Sequence, residues 1–230
     1  MQLFYCPELL NDSSFLSNEE SVHCFKVLRK KVGDHIYLID GVGGFYEAEI
    51  TIASKKKVIF NVLKKWNQPQ STYSLHIAIA LTKNNYRFEW FLEKATEIGI
   101  DEVTPIICEH SERKIIKNKR MEKIILSAAK QSLKSKLPKI NKVTSFNDFM
   151  NKNHSSHCFI AHCLPSKKKK LKNEVVSDST ILIGPEGDFS TLEVEVALKN
   201  NFIPISLGSS RLRTETAGVI ACHTIALHHE

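Results

Sequence analysis

The most constraining feature of this sequence is a regular alternation of short apolar runs and amphipathic segments after about residue 75. The run at 75–81 precedes a segment at 85–98 whose apolar residues share one helical face, and Gly99 then stands where a helix C-cap is expected. Further apolar runs stand at 103–108, 158–163, 180–184 and 202–208, and further helical segments at about 119–133, 191–200 and 215–228. This order favours an α/β fold with an open, mainly parallel sheet covered by helices on both faces.

The chain has a different character before residue 70. Short β-like runs at 35–40, 45–53 and 57–66 are separated by turn residues, including the sequence GVGG at 41–44. A polar segment at 67–74 then reads as a linker. We therefore predict a small β-rich domain over residues 1–70 and an α/β domain over residues 71–230.

Several protein classes are disfavoured. The sequence has no run of about 18 apolar residues and no basic N-terminal segment followed by an apolar one, so we expect a soluble cytoplasmic protein without a membrane partner. Its cysteines are scattered, lack CxxC spacing and indicate no disulfide framework: Cys6, Cys24, Cys108, Cys158, Cys163 and Cys222. The sequence HCFIAHC at 157–163 could supply metal ligands, but a buried strand is favoured there, and no metal is predicted.

The charge distribution points to a polyanionic partner. The formal net charge is +7 and the pI is about 9.0. Lysine and arginine cluster in four runs, at 55–57, 111–120, 130–139 and 166–172. Each run alone is typical of a solvated surface, whereas four together favour RNA or DNA, because clustered cations release counterions from a phosphate backbone.

Three segments follow predicted strands and converge at one end of the predicted sheet: LTKNN (81–85), GPEGDFS (184–190) and LGSSRLRTETAG (207–218). Ligands of such sheets bind beyond the carboxyl ends of the strands. Neither glycine-rich loop matches a dinucleotide or triphosphate motif, and Glu186 and Asp188 would repel phosphate. A nucleoside with a positive centre fits these acids better. Ser190 and Glu193 form an S-x-x-E capping box that opens the next helix.

Five longer motifs carry a family resemblance: HCFKVLRKKVGD (23–34), KATEIGIDEVTPIICEHSERK (94–114), SAAKQSLKSKLP (127–138), IGPEGDFS (183–190) and LGSSRLRTETA (207–217). In this order they resemble the motifs of the bacterial 16S ribosomal RNA (uracil-N3) methyltransferases, members of the SPOUT superfamily. The resemblance covers essentially the whole chain.

The resemblance implies an N-terminal PUA-like β-barrel that binds RNA and a C-terminal SPOUT α/β domain with a trefoil knot. It implies a homodimer that uses S-adenosyl-L-methionine. The implied reaction methylates N3 of uridine 1498, in bacterial reference numbering, on 16S rRNA or the 30S subunit. Two alternatives stay open at this point: a SPOUT enzyme acting on another RNA, and a non-catalytic RNA-binding assembly factor.

The same resemblance assigns three sets of residues. Those expected around the methyl donor are Leu81, Thr82, Gly184, Glu186, Gly187, Leu207, Gly208, Leu212, Arg213 and Thr214. Arg213 would stabilise negative charge on the uracil oxygens, and Glu186 or Glu215 would accept the N3 proton. Those expected on the RNA surface are Arg29, Lys30, Lys31, Arg113, Lys114, Lys130 and Lys134.

The sequence departs from the family in two places. Residues 130–134 read KQSLK where many members read EQSGR, which exchanges an acid for a base, loses a glycine and replaces arginine with lysine. Asp188 gives PEGD in place of the commoner PEGG. We expect both departures to alter local RNA contacts and to leave the reaction class unchanged.

Overall fold

The computed structural model describes residues 1–11, 14–69, 71–152, 154–174 and 177–230. The chain divides into two compact units, one formed by residues 1–70 and 126–137 and the other by residues 71–125 and 138–230. Residue 70, where the sequence places the domain boundary, lies outside the described residues. No helix within the described ranges combines the length and apolar character needed to cross a bilayer.

Twelve strands and six α-helices are found within the described ranges. The strands are β1 (Leu3–Tyr5), β2 (His35–Ile39), β3 (Gly44–Ala53), β4 (Val58–Asn67), β5 (Ser74–Ala80), β6 (Glu102–Ile107), β7 (Lys139–Ile140), β8 (Thr144–Ser145), β9 (His157–Ala161), β10 (Lys169–Lys170), β11 (Asp178–Ile183) and β12 (Ile203–Ser206). The helices are α1 (Asn18–Val22), α2 (Asn85–Ile98), α3 (Asn118–Gln131), α4 (Phe146–Met150), α5 (Thr191–Lys199) and α6 (Thr214–His228). Short 3-10 helices cover Pro7–Asn11 and Leu171–Asn173, and a π-helical turn covers His23–Val27.

The first unit is built on a four-stranded sheet in the order β1-β2-β3-β4. β1 runs parallel to β2, whereas β2, β3 and β4 pair antiparallel. Gly41 and Gly43 take positive φ angles of 89° and 120° in the predicted GVGG turn between β2 and β3. One face of the sheet buries apolar side chains such as Leu38 and Phe60, so the predicted β-rich character of this region is confirmed.

The second unit contains an eight-stranded parallel sheet with the order β10-β12-β9-β11-β5-β6-β7, in which β8 also pairs with β6. Successive residues of β5 point to opposite faces, as strand geometry requires. Ile77 and Ile79 join a core with α2 and α6, whereas Ala78 and Ala80 join a second core with α4 and α5. The predicted α/β class, with helices on both faces of a parallel sheet, is confirmed.

The main elements match their predicted ranges closely, and the differences have local causes. The helix predicted at 119–133 ends at Gln131, because Leu133 has a left-handed φ of 57°. The strand predicted at 202–208 is confined to Ile203–Ser206. The sequence reading missed β1, β7, β8, β10, α1 and α4, which span two to five residues each and are too short to show a periodicity.

Candidate functional site

A cavity of about 980 Å³ lies beyond the carboxyl ends of three neighbouring strands of the second unit. β9 occupies the centre, and its last residue, Ala161, lies in register with Ile183 of β11 and Ile205 of β12. The cavity is lined by residues 161–165, Lys168, 183–188, 205–214 and Ala217. This volume suits a small organic ligand, and the position is the one predicted from strand alternation.

The GPEGD loop after β11 forms one wall of the cavity. A Cβ atom added at Gly184 would meet the Phe189 ring at 3.0 Å, and one added at Gly187 would meet Cβ of His110 at 3.0 Å. The buried hydroxyl of Thr214 also donates to the Gly184 carbonyl at 2.9 Å. A larger residue at either position would therefore have to displace Phe189 or His110 by a few tenths of an ångström.

Two candidate catalytic carboxylates are connected by one arginine. Oε1 of Glu186 accepts a hydrogen bond from the backbone N–H of Lys83 at 3.0 Å and lies 3.8 Å from Nη1 of Arg87. Nε of Arg87 lies 3.6 Å from Oε1 of Glu215. Glu186 lines the cavity, whereas Glu215 lies in the buried first turn of α6 and is not among the lining residues. The geometry therefore brings Glu186, and not Glu215, to the pocket wall.

Arg213 lies at the N-cap of α6 and lines the cavity with an exposed side chain. Leu207, Gly208, Leu212 and Thr214 line the same wall. Gly208 has a φ of 150°, and the space into which a Cβ would project is open for 4 Å. The loop after β12 thus brings together the predicted residues from Leu207 to Thr214.

Leu81 and Thr82 were predicted at the donor pocket, but neither is among the lining residues. Leu81 is 1% exposed and belongs to the core with α2 and α6, and Thr82 is fully buried. The Thr82 hydroxyl donates to the backbone carbonyl of Asn84 at 2.7 Å. In this structure both residues support the loop that follows β5.

Sequence reasoning missed the wall of the pocket that follows β9. His162, Cys163, Leu164 and Pro165 line the cavity together with Lys168. The available signal was the predicted strand at 158–163, whose carboxyl end belongs with the others in a parallel sheet. The order of strands places β9 between β11 and β12, and that order cannot be read from local periodicity.

Asp188, one of the two departures from the family, links two walls of the cavity. Its φ of 65° is left-handed, a conformation that glycine adopts without strain and that Asp and Asn tolerate better than most residues. Oδ2 accepts a hydrogen bond from the backbone N–H of Cys163 at 2.7 Å, and Oδ1 accepts one from Phe189 at 2.9 Å. The aspartate thus fastens the segment after β9 to the GPEGD loop.

Two of the predicted RNA-binding residues lie in the second unit. The Arg113 guanidinium donates to the Lys83 backbone carbonyl through Nε at 3.1 Å and Nη2 at 2.9 Å. Glu112 forms an ion pair with the Lys83 ammonium at 2.8 Å and raises its pKa. The Lys114 side chain is exposed. Arg113 therefore holds the loop after β5, and Lys114 is presented to solvent.

The other five predicted RNA-binding residues belong to the first unit. Arg29 and Lys31 are exposed, and Lys30 donates to the His35 carbonyl at 3.2 Å. The Lys130 ammonium lies 2.7 Å from Oε1 of Glu20, and both of these side chains are mostly buried. This ion pair explains the substitution of lysine for the commoner glutamate at position 130, because it gives the mostly buried Glu20 carboxylate a cation. Lys134 is half-buried.

Comparisons with known proteins agree with this geometry. A family model described as an RNA methyltransferase domain matches residues 69–226, and one described as an RNA methyltransferase PUA domain matches residues 16–63. The chain is 33% identical to the Ribosomal RNA small subunit methyltransferase E of Buchnera aphidicola subsp. Acyrthosiphon pisum, covering 92% of this chain and 87% of that one. It is 29% identical to the protein of that name from Bacillus subtilis, covering 94% and 90%.

Solved structures extend the similarity to the whole fold. A "probable rRNA-methyltransferase" from Porphyromonas gingivalis is 41% identical with a TM-score of 0.92, and each chain is covered completely. A Legionella pneumophila structure in complex with the bound cofactor SAM is 26% identical with a TM-score of 0.86, covering 99% of this chain and 98% of that one. This chain belongs to the ribosomal RNA small subunit methyltransferase E family, which confirms the family predicted from its motifs.

Proposed function

We propose that this protein transfers a methyl group from S-adenosyl-L-methionine to N3 of a uridine in 16S rRNA, at the position numbered 1498 in the bacterial reference. One observation carries the proposal: the pocket beyond β9, β11 and β12 has a glycine-rich wall that bears carboxylates and lacks a phosphate-binding motif. Membership of the family and the SAM bound to the Legionella relative support the same donor.

The residues of the pocket fit such a donor. Ile183, Ile205 and Leu207 supply apolar surface for a nucleoside, and Glu186 supplies a carboxylate for its positive groups. His162 lines the same pocket with two ring nitrogens that have no partner among the described residues. When bound, the donor supplies an electrophilic methyl group on a sulfonium. Holding N3 in line with it would supply roughly 7 to 11 kcal/mol of barrier reduction.

The N3 proton must leave as the new N–C bond forms and the S–C bond breaks. We assign its acceptance to Glu186 in preference to Glu215, because Glu186 lines the pocket and Glu215 does not. Such a base typically contributes about 10²- to 10⁴-fold. Arg213 would stabilise the charge that develops on the uracil oxygens, since its exposed guanidinium stands at the same wall.

The remaining parts of the proposal rest on the family. The RNA surface would use Arg29, Lys30, Lys31, Arg113, Lys114, Lys130 and Lys134. The second unit would be a SPOUT domain whose last segment passes through a trefoil knot, and two copies would form a homodimer in the cytoplasm. The substrate would be 16S rRNA or the assembled 30S subunit.

The experiment incubates the full chain and labelled S-adenosylmethionine with 30S subunits that lack the modification, followed by mapping of the methylated base. We expect label at N3 of one uridine. In parallel incubations with 23S rRNA and transfer RNA, label confined to one of these would replace the substrate. Donor binding without any transfer would identify a non-catalytic RNA-binding factor.

The role of Arg213 is tested with two variants in the same assay. We expect Arg213→Ala to lower kcat by about 10²- to 10³-fold, as the loss of one oxyanion donor does. Arg213→Lys is the matched variant, because it keeps the charge and loses the planar fork. A full rate in the alanine variant would overturn this role of Arg213, and a full rate in the lysine variant would show that the positive charge suffices without the planar fork.

A further inference from the structure

The segment that follows β9 is held in place by hydrogen bonds to one of its backbone N–H groups and to one of its backbone carbonyls. The N–H of Cys163 donates to Oδ2 of Asp188 at 2.7 Å, and the Lys168 ammonium donates to the carbonyl of Leu164 at 2.6 Å. These two contacts connect the segment to the loop after β11 and to the chain before β10. Its backbone is therefore positioned before any ligand enters.

His162 belongs to this segment, and its side chain forms no hydrogen bond with the part of the chain that the structure describes. The residue is 8% exposed and lines the cavity beyond β9, β11 and β12. Neither Nδ1 nor Nε2 has a hydrogen-bond partner among the described residues. Buried polar groups are nearly always paired in native proteins, so two unpaired nitrogens on one buried ring that lines a cavity need an explanation.

The ring is suited to an uncharged ligand group. Burial and the nearby Lys168 lower the pKa of His162, and Asp188 opposes them. A neutral imidazole presents one N–H donor and one acceptor nitrogen. The charged side chains of the cavity, among them Glu186 and Arg213, are available for charged groups of a ligand.

We propose that His162 is a positioning residue that hydrogen-bonds the nucleoside part of the methyl donor, through the adenine edge or the ribose hydroxyls. This inference rests on the proposed function, because it takes S-adenosylmethionine as the ligand. The nucleoside is the uncharged, polar part of that molecule, and it offers both donors and acceptors. Asp188 and Lys168 hold the backbone on which His162 stands.

The test measures binding to the full chain by calorimetry, without turnover. The probes are S-adenosylhomocysteine, adenosine and methionine. His162→Phe keeps an aromatic ring and removes both nitrogens. We expect it to weaken the binding of S-adenosylhomocysteine and adenosine about tenfold, as loss of one or two neutral hydrogen bonds does. Methionine binding should stay at the wild-type value. His162→Gln, which keeps a donor and an acceptor, should bind closer to the wild type.

His154→Phe is the matched control. His154 also has a buried, unpaired Nε2, but it lines a different cavity, at the amino ends of the strands. We expect this variant to bind all three probes as the wild type does. A second readout needs no variant to fold: in nitrogen-15 spectra of the wild type, the ring signals of His162 should move on addition of S-adenosylhomocysteine and those of His154 should not.

The outcomes separate the two proposals. Wild-type protein that binds no S-adenosylhomocysteine would overturn the proposed function. Wild-type protein that binds it, with His162→Phe equally tight or with unmoved His162 signals, would overturn the role of His162 alone. A loss confined to methionine would overturn the assignment to the nucleoside.

Discussion

His76 is a titratable residue in the second unit, at the end of the sheet opposite the cavity beyond β9, β11 and β12. It lies near the start of β5, and its Nε2 is 2.7 Å from the hydroxyl of Thr104. Burial lowers the pKa of His76 to about 4; Glu102 acts against this, and His154, Lys139 and Lys152 act with it. The imidazole is therefore neutral in the folded protein at neutral pH.

This burial predicts an acid-sensitive contribution to stability. An unfolded histidine binds a proton below about pH 6.5, whereas folded His76 binds one only near pH 4. The contribution of neutral His76 to the free energy of unfolding is therefore intact above about pH 6.5 and is lost as the pH falls to about 4. The free energy of unfolding changes by at most about 1.4 kcal/mol per pH unit in this window. We expect His76→Gln to show a shallower decline of the free energy of unfolding across this window.

Urea unfolding of both proteins between pH 7 and pH 4 checks the prediction. His223→Gln is the control, because His223 is exposed on α6 and its replacement reports the general effect of removing a histidine. Equal pH slopes for the wild type and His76→Gln would contradict the assigned neutral state.

The two departures from the family share one conformational property. Leu133 and Asp188 both replace a commoner glycine, and their φ angles are 57° and 65°. Asp188 has a compensating contact, since its carboxylate accepts from the N–H of Cys163. Leu133 follows the end of α3 as a left-handed C-cap residue, where the N–H of Lys134 donates to the carbonyl of Ala129 at 2.9 Å.

The left-handed residue after α3 tests the strain that a Cβ atom brings. A left-handed conformation costs a non-glycine residue about 1 to 2 kcal/mol, and glycine loses about 0.5 to 1 kcal/mol through the entropy of the unfolded chain. Leu133 is 39% exposed, so Leu133→Gly also loses the burial of part of an apolar side chain. We therefore compare it with Leu133→Ala, which loses the same side chain, and expect the glycine variant to have a free energy of unfolding about 0.5 to 1 kcal/mol higher in chemical denaturation.

Leu133→Ala separates strain from side-chain contacts. Alanine keeps the Cβ and therefore the left-handed strain, so this variant should not be stabilised. A glycine variant no more stable than the alanine variant would show that the left-handed backbone at position 133 carries no net strain.

The whole molecule carries a formal net charge of +7, which predicts different salt dependences for its two substrates. RNA binding that releases counterions weakens linearly in log[salt], with a slope of about 0.7 to 0.9 per neutralised phosphate. We expect the affinity for 16S rRNA to fall steeply between about 50 and 200 mM salt, by about 10³-fold if six phosphates are contacted. The affinity for S-adenosylhomocysteine should change little.

Filter binding for RNA and calorimetry for the small ligand check this at matched salt concentrations. Lys114→Gln removes one exposed predicted contact and should reduce the RNA slope by about 1. Lys199→Gln is the control, since Lys199 is also exposed, at the end of α5, and lies outside the four basic runs. A salt-independent RNA affinity would contradict the electrostatic interpretation.

The elements themselves were largely predictable because their signals are local. The one-sided apolar pattern at 85–98 and the terminal Gly99 predicted α2, whose observed bounds are Asn85–Ile98. The Ser190 and Glu193 capping box forms with both of its hydrogen bonds and starts α5. Caps and periodicity depend on residues within one or two turns, so they are readable without knowledge of the fold.

By itself the sequence determined the α/β class, the main helices and strands, the family and the two glycine-rich walls of the pocket. Only the tertiary structure decided the order of strands, which places β9 between β11 and β12 and brings His162 into the cavity. It also decided that Leu81 and Thr82 are buried and are not among the residues that line the cavity. The physical reason is that periodicity reports which face of an element is apolar, whereas the neighbours of that face are chosen by packing between segments distant in the chain.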